Sequence, residues 1–136
     1  MRCSNCCRHS PGYVFLVPRD VTRLLVATGL DLKTFQERYL REVNLSGIHR
    51  ISLVEKSNYD CIFWEKDGCS VYRYRPMQCR SYPFWSGNLV SSHTWEQLKS
   101  SCPGVGRGRL HSRREIERWL RRAEESRFLS SFAEME

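Results

Sequence analysis

The sequence predicts an irregular α+β fold in one small domain, on three observations. Two amphipathic helical periods lie between Pro18 and the Asn44 to Gly47 region, short apolar runs flank Asp67-Gly68, and a capped amphipathic period follows Ser112. A chain of 136 residues is of common single-domain size, so one hydrophobic core is expected. Hydrophobic residues make up 40% of it, slightly below the globular norm, which leaves a core that other interactions must reinforce.

Pro18 and Asp20 open the first helix, which runs through Val21, Leu24 and Leu25 to a C-terminal cap at Gly29. Asp31 precedes the second, in which Leu32, Phe35, Tyr39 and Leu40 share a face and Arg38, Arg41 and Glu42 are left to solvent. The spacing predicts that this helix ends near Asn44 to Gly47. Ile51 to Val54 alternate as a short strand does, and Cys61 to Trp64 and Ser70 to Tyr72 predict a small hairpin about Asp67-Gly68. Pro76 and Pro83 bracket Cys79, which predicts an irregular pinned loop. Ser112 and Glu115 form a capping box ahead of Ile116, Trp119, Leu120 and Ala123, predicting a C-terminal helix. The division expected is a cysteine-bearing domain over 1–108 and a basic amphipathic helix, within 109–136, packed on it.

Cysteine density is the most informative feature. The chain has seven, three of them packed into Cys3 to Cys7 and the rest at Cys61, Cys69, Cys79 and Cys102. No apolar run is long enough to span a membrane, and Met-Arg-Cys-Ser-Asn-Cys-Cys has no secretory signal, so a cytoplasmic address without membrane insertion is expected. In a reducing compartment an odd number of thiols reads as metal chemistry rather than disulfides. Cys3 and Cys6 have the two-residue spacing of a chelating knuckle, and a closed site needs about four ligands, so Cys61, Cys69, Cys79 and Cys102 are the remaining candidates. Adjacent side chains usually diverge, which assigns Cys7 to a second metal, a polynuclear cluster or packing. Burial as small apolar residues is the bland alternative for each thiol. His9 is the one histidine near the hook; His49, His93 and His111 read as surface or core residues. Arg73, Arg75 and Arg80 are placed either to lower thiol pKa values or to pair with Glu65 or Asp67. Gly104-Val105-Gly106-Arg107-Gly108 follows Cys102-Pro103 instead of an apolar strand, so it is not a dinucleotide fingerprint, and its glycines are expected to let the backbone pass close beside Cys102.

The blocks Cys3-Ser-Asn-Cys6-Cys7, Asp60-Cys61-Ile62-Phe63-Trp64, Gly68-Cys69-Ser70-Val71-Tyr72, Arg75-Pro76, Cys79-Arg80-Ser81-Tyr82-Pro83-Phe84 and Cys102-Pro103-Gly104-Val105-Gly106-Arg107-Gly108 resemble the YkgJ-like cysteine-cluster family, described as zinc- or iron-chelating. The resemblance spans about positions 1–108. It implies a metal-binding cysteine cluster in mostly bacterial, cytosolic proteins, with Cys3, Cys6, Cys7, Cys61, Cys69, Cys79 and Cys102 on motif positions. The family's opening motif usually has a further cysteine three positions before the one matching Cys3, a place that precedes Met1. A longer relative looks like a flagellin lysine methylase, an activity that is not carried over to this chain.

The expected cofactor is an iron-sulfur cluster or zinc, with the surplus and adjacent thiols favouring the polynuclear centre. Two alternatives are a metal-dependent protein-modifying or redox enzyme, and a nucleic-acid-binding module with structural zinc. The last rests on the net charge of +7 and on Arg113, Arg114, Arg118, Arg121 and Arg122, which offer an acidic protein or a nucleic acid a basic face. Solvent alone also accounts for such a face. Four thiolates on one Zn²⁺ would offset about two units of the positive charge.

Overall fold

The structure, a computed structural model, describes residues 5–8 and 11–135. Pro18 opens α1 (Pro18–Thr28), where its missing N–H falls among donors that have no intrahelical acceptor. Gly29, at φ 69°, closes the helix and donates its N–H to the Leu25 carbonyl at 2.9 Å. Asp31 caps α2 (Leu32–Tyr39) by accepting from the Thr34 N–H at 2.9 Å.

The second helix stops well short of Asn44. At Leu40 the chain turns extended and becomes β1 (Leu40–Leu45), antiparallel to β2 (Ile48–Leu53), with Leu40 opposite Leu53 and Leu45 opposite Ile48. The reason is the turn between them. Ser46 and Gly47 both have positive φ, 53° and 90°, which is the two-residue loop whose twist matches an antiparallel pair. Asn44 Oδ1 accepts from the Gly47 N–H at 2.8 Å and fixes that loop. The expected strand at Ile51 to Val54 is therefore the second half of a hairpin beginning at Ile48.

β2 is buried over its last three residues because it is flanked on both edges. Residues 14–16 run antiparallel beside it, with the Leu53 N–H donating to the Val14 carbonyl at 3.0 Å. Leu129, from the segment after the last helix, is inserted between these two strands. The Ile51 N–H donates to the Leu129 carbonyl at 2.9 Å, and the Leu129 N–H donates to the Leu16 carbonyl at 2.8 Å. Leu16, Leu24, Phe35 and Ile51 are fully buried around this junction, and Leu129 is 2% exposed. Leu129→Ala is expected to cost about 3 kcal/mol in a denaturation experiment, the usual loss for a core leucine.

The cysteine-rich half is built from shorter pieces. β3 (Trp64–Glu65) and β4 (Gly68–Cys69) form a small hairpin around Lys66-Asp67, with Gly68 at φ 114° starting the return strand. Ser70 to Tyr72 do not continue as strand; the chain enters a 3-10 turn at Tyr72–Tyr74. The pinned loop between the two prolines is instead a short helix, α3 (Met77–Ser81). Pro76 presets its start, and the Met77 N–H finds an acceptor in Asp20 Oδ1 at 2.9 Å, so a tertiary contact caps it. Asp20 Oδ2 also accepts from the Val17 N–H at 3.0 Å. One carboxylate, 1% exposed, thus secures the starts of both α1 and α3.

α4 (Ser92–Gln97), which no strong apolar period marks in the sequence, is started by Ser91 Oγ accepting from the Thr94 N–H at 3.1 Å. α5 (Arg113–Glu125) has the expected capping box: the Glu115 N–H donates to Ser112 Oγ at 3.1 Å, and the Ser112 N–H donates to Glu115 Oε2 at 3.0 Å. It packs on α3. The architecture is α+β, with two separate two-stranded antiparallel sheets among the described residues. No described helix is long and apolar enough to cross a membrane.

Candidate metal centre

Cys6 and Cys7 lie on a single 3-10 turn, Asn5–Cys7, held from outside by the later chain. The Cys61 N–H donates to the Cys7 carbonyl at 2.6 Å, and Arg8 reaches the buried Asp60 carboxylate at 3.8 Å. The Arg8 guanidinium also covers Trp64, 3.9 Å from its ring centre. Hook and small hairpin are thereby fixed together before any cofactor is considered.

The small hairpin brings in two more thiols. Cys69 is part of β4, opposite Trp64, and Cys61 precedes β3. Burial raises the pKa of the Cys61 thiol, while the backbone N–H groups of Phe63 and Trp64 act in the opposite sense. Burial likewise raises Cys69, against an N–H from Val71 and the positive charge of Arg75. N–H groups aimed at sulfur favour a thiolate over a thiol, which is the state a metal requires.

Cys79 arrives on α3, which is tied to the hook side by Gln78. Gln78 Oε1 accepts from the Phe15 N–H at 3.0 Å and its Nε2 donates to the Tyr13 carbonyl at 2.7 Å. Burial, then the neighbouring Cys61, Cys6 and Cys69, push the Cys79 thiol far above its usual range. Cys6, Cys7, Cys61 and Cys79 line a cavity of about 100 Å³, with Tyr13, Glu55, Tyr59 and Tyr82 in its wall.

The two sulfurs of the hook do not diverge. Cys6 Sγ and Cys7 Sγ are 4.0 Å apart. For comparison, two sulfurs bound at about 2.3 Å to one tetrahedral ion lie roughly 3.8 Å apart. Either thiol can donate in this contact; the hydrogen bond with Cys7 lowers the Cys6 pKa to about 7, while Cys7 is held far up by the same bond and by burial.

Among the described residues, no three His, Cys, Asp or Glu side chains yet stand in the geometry of a bound metal ion. The structure gathers a donor set without closing it. That set fits a thiophilic cation: several desolvated sulfurs raise one another's pKa, and Arg75 is the positive charge that acts on Cys6, Cys69 and Cys79. Cys3 and His9 lie outside the described residues.

The model of the CxxCxxCC family, described as "putative zinc- or iron-chelating domain", matches residues 1–103. The chain belongs to this family. No solved structure matches it.

Within the CxxCxxCC domain, Cys69 and Cys102 do not line the cavity. Cys69 still acts electrostatically with Cys6 and Cys79, whereas Cys102 is buried and Tyr82 stands between it and the cavity. The Tyr82 hydroxyl is influenced by Cys102 and Ser101 on one side and by Cys6 on the other; its pKa is pushed up to about 12, chiefly by burial. Tyr82, Gln78 and Asp20 were not singled out as site residues by sequence reasoning. Tyr82 sits in the quoted Cys79-Arg80-Ser81-Tyr82-Pro83 block, which was the available signal; Gln78 and Asp20 gave none, since their partners are distant backbone groups.

The three arginines expected around the domain's thiols separate. Arg75 acts on Cys6, Cys69 and Cys79 and is braced by stacking 3.9 Å from the Tyr72 ring centre. Arg80 instead faces α5, 5.8 Å from the Trp119 ring centre, and Arg73 contributes its carbonyl to Arg23 at 2.7 Å. His49, His93 and His111 are all exposed. The glycine-rich segment owes its composition to backbone angle more than to crowding. Gly106 and Gly108 have φ 78° and 77°, whereas a Cβ at Gly104 would meet Cys102 Sγ at an ordinary 3.9 Å.

Proposed function

We propose that this CxxCxxCC domain is a cytoplasmic metal-centre protein in which Cys6, Cys7, Cys61, Cys69 and Cys79, completed by Cys3, hold an iron-sulfur cluster or zinc. Cys102 is the remaining family cysteine and joins the centre through Tyr82. The observation that carries this reading is convergence: Cys6 and Cys7 of the hook, Cys61 ahead of the small hairpin and Cys79 on α3 meet around one cavity although they are far apart in sequence, with Cys69 acting on Cys79 electrostatically. Residues 1–108 form the centre, and the helix within 109–136 covers it from the α3 side. The six described cysteines are free, in keeping with a reducing compartment.

Iron-sulfur is the leading identity, because more thiols are gathered than one tetrahedral ion can use. Zinc is favoured by one specific observation, the 4.0 Å separation of the Cys6 and Cys7 sulfurs, which lets both reach one ion. In the cluster reading the bound group supplies redox chemistry; in the zinc reading it supplies structure. Elemental analysis with an absorption spectrum, on protein purified without oxygen and without a metal-binding tag, decides between them. Iron, acid-labile sulfide and visible sulfur-to-iron charge transfer are expected, whereas colourless protein with stoichiometric zinc would establish the second identity. Protein carrying neither metal would sink the proposal.

A further inference from the structure

α5 presents a different kind of site on the far side of α3. A cavity of about 380 Å³ opens between them, lined by Arg80, Arg118, Trp119 and Arg122, with Arg109, His111 and Glu115 at one end. The charges at that end are already matched, as Glu115 lies 3.0 Å from Arg109 and 3.5 Å from His111. The other three arginines are not. Among the described residues, none of Arg80, Arg118 and Arg122 has a carboxylate within ion-pair distance, and Arg80 Nε is buried without a hydrogen-bond partner.

The surroundings of Arg80 sharpen the imbalance. Arg19, Arg23 and Arg122 all act on it as like charges, against the single carboxylate of Asp20. That carboxylate is already accepting from the Val17 and Met77 N–H groups. The guanidiniums of Arg80 and Arg122 both lie against Trp119, 5.8 and 5.2 Å from its ring centre, a contact that neutralises neither. Fixed, uncompensated guanidinium forks in a cleft are what recognise a tetrahedral oxyanion, through paired N–H donors.

We propose that the cleft between α3 and α5 binds a phosphate group, with Arg80, Arg118 and Arg122 as its donors. Arg80 follows Cys79 directly, so the bound phosphate lies one residue from a cysteine of the centre. The site does not depend on which metal that centre holds. The phosphate has two possible sources, the free anion or a small phosphate ester, and both present the same group to the cleft.

Calorimetric titration of the full metal-containing protein with inorganic phosphate, at constant ionic strength set by chloride, tests this. Saturable binding is expected, weakened by about tenfold in each of Arg118→Gln and Arg122→Gln, the scale of one charge-assisted pair. Both positions are exposed on α5, so melting temperature and metal content are expected to match the parent protein, as is phosphate affinity in Arg38→Gln on α2. A parallel titration with AMP distinguishes the sources: tighter binding than inorganic phosphate assigns an ester, equal binding assigns the free anion. The proposal is overturned by the absence of saturable binding of either, by undiminished affinity in both α5 variants, or by a single-stranded oligonucleotide binding where neither small ligand does.

Discussion

Cys61→Ser is expected to strip the protein of its metal and to loosen the chain from residue 54 to residue 85, while α1, β1 and β2 stay protected. Cys61 lines the cavity with Cys6, Cys7 and Cys79, and its backbone is tied at both ends, its N–H to the Cys7 carbonyl and its carbonyl to the Trp64 N–H, so no neighbouring cysteine can take its place without moving the hairpin. Metal bound by folded protein alone stabilises it by mass action, and structural zinc sites are worth about 10–16 kcal/mol in small peptides. Even a fraction of that exceeds what the short β3–β4 pair and α3 could replace. The comparison is Cys102→Ser. Since Cys102 neither lines the cavity nor acts on the Cys61, Cys69 and Cys79 thiols, that variant is expected to retain most of its metal. Metal stoichiometry and hydrogen exchange on both proteins check the prediction. A Cys61→Ser protein with parental metal content and uniform protection would contradict it.

The second large effect is expected at Asp20. Asp20→Ala removes the acceptor for the Val17 and Met77 N–H groups at once and leaves the latter buried. Loss of a helix cap with an unpaired buried N–H costs about 2–4 kcal/mol, read as a fall in the midpoint of chemical denaturation. Asp20→Asn keeps one acceptor oxygen and is expected to fall between. The pH dependence follows from the direction of the Asp20 shift. Burial raises its pKa in the folded protein, against the two N–H groups and the charges of Arg80 and Arg23. As pH rises past the ordinary carboxylate value of about 3.9, the unfolded chain loses this proton first. The folded state then binds more protons, so the contribution of Asp20 to stability is full below that value and declines as pH rises through the raised one. The stability difference between parent and Asp20→Asn is expected to shrink over that interval. A difference that stays flat or widens would show that the carboxyl is not held up by burial.

Local signals made the helices legible. Pro18 with Gly29, Asp31, and Ser112 with Glu115 are caps whose partners lie within one turn, so the sequence contains the whole interaction. The β1–β2 hairpin was not legible, because Tyr39 and Leu40 continue the apolar face of α2 and the helical period runs on through them. The deciding feature was Ser46-Gly47, a turn whose positive φ values are tolerated by Gly47 but not announced by Ser46. α3 was unreadable for a different reason: its first N–H is satisfied by a residue on α1, and no local pattern encodes such a partner. In the centre, spacing picked out the cysteines as candidates and could not arrange them. That the Cys6 and Cys7 sulfurs stay 4.0 Å apart, on a hook held by Arg8 and Cys61, and that Cys102 stands behind Tyr82, depend on tertiary contacts that spacing does not encode.

The insertion of Leu129 between residues 14–16 and β2 has a consequence for biosynthesis. Its hydrogen bonds to Leu16 and Ile51 join segments that leave the ribosome at widely separated times. Contacts of such long sequence separation are slow to form, and this one cannot form at all until translation has passed Leu129. Every cysteine of the chain, from Cys3 to Cys102, is polymerised before that moment. A nascent chain therefore has all its cysteines in place while the apolar seam beside β2 is still open. Metal delivery during synthesis meets a pliable cage, and delivery after release meets one already clamped by its own C-terminal segment.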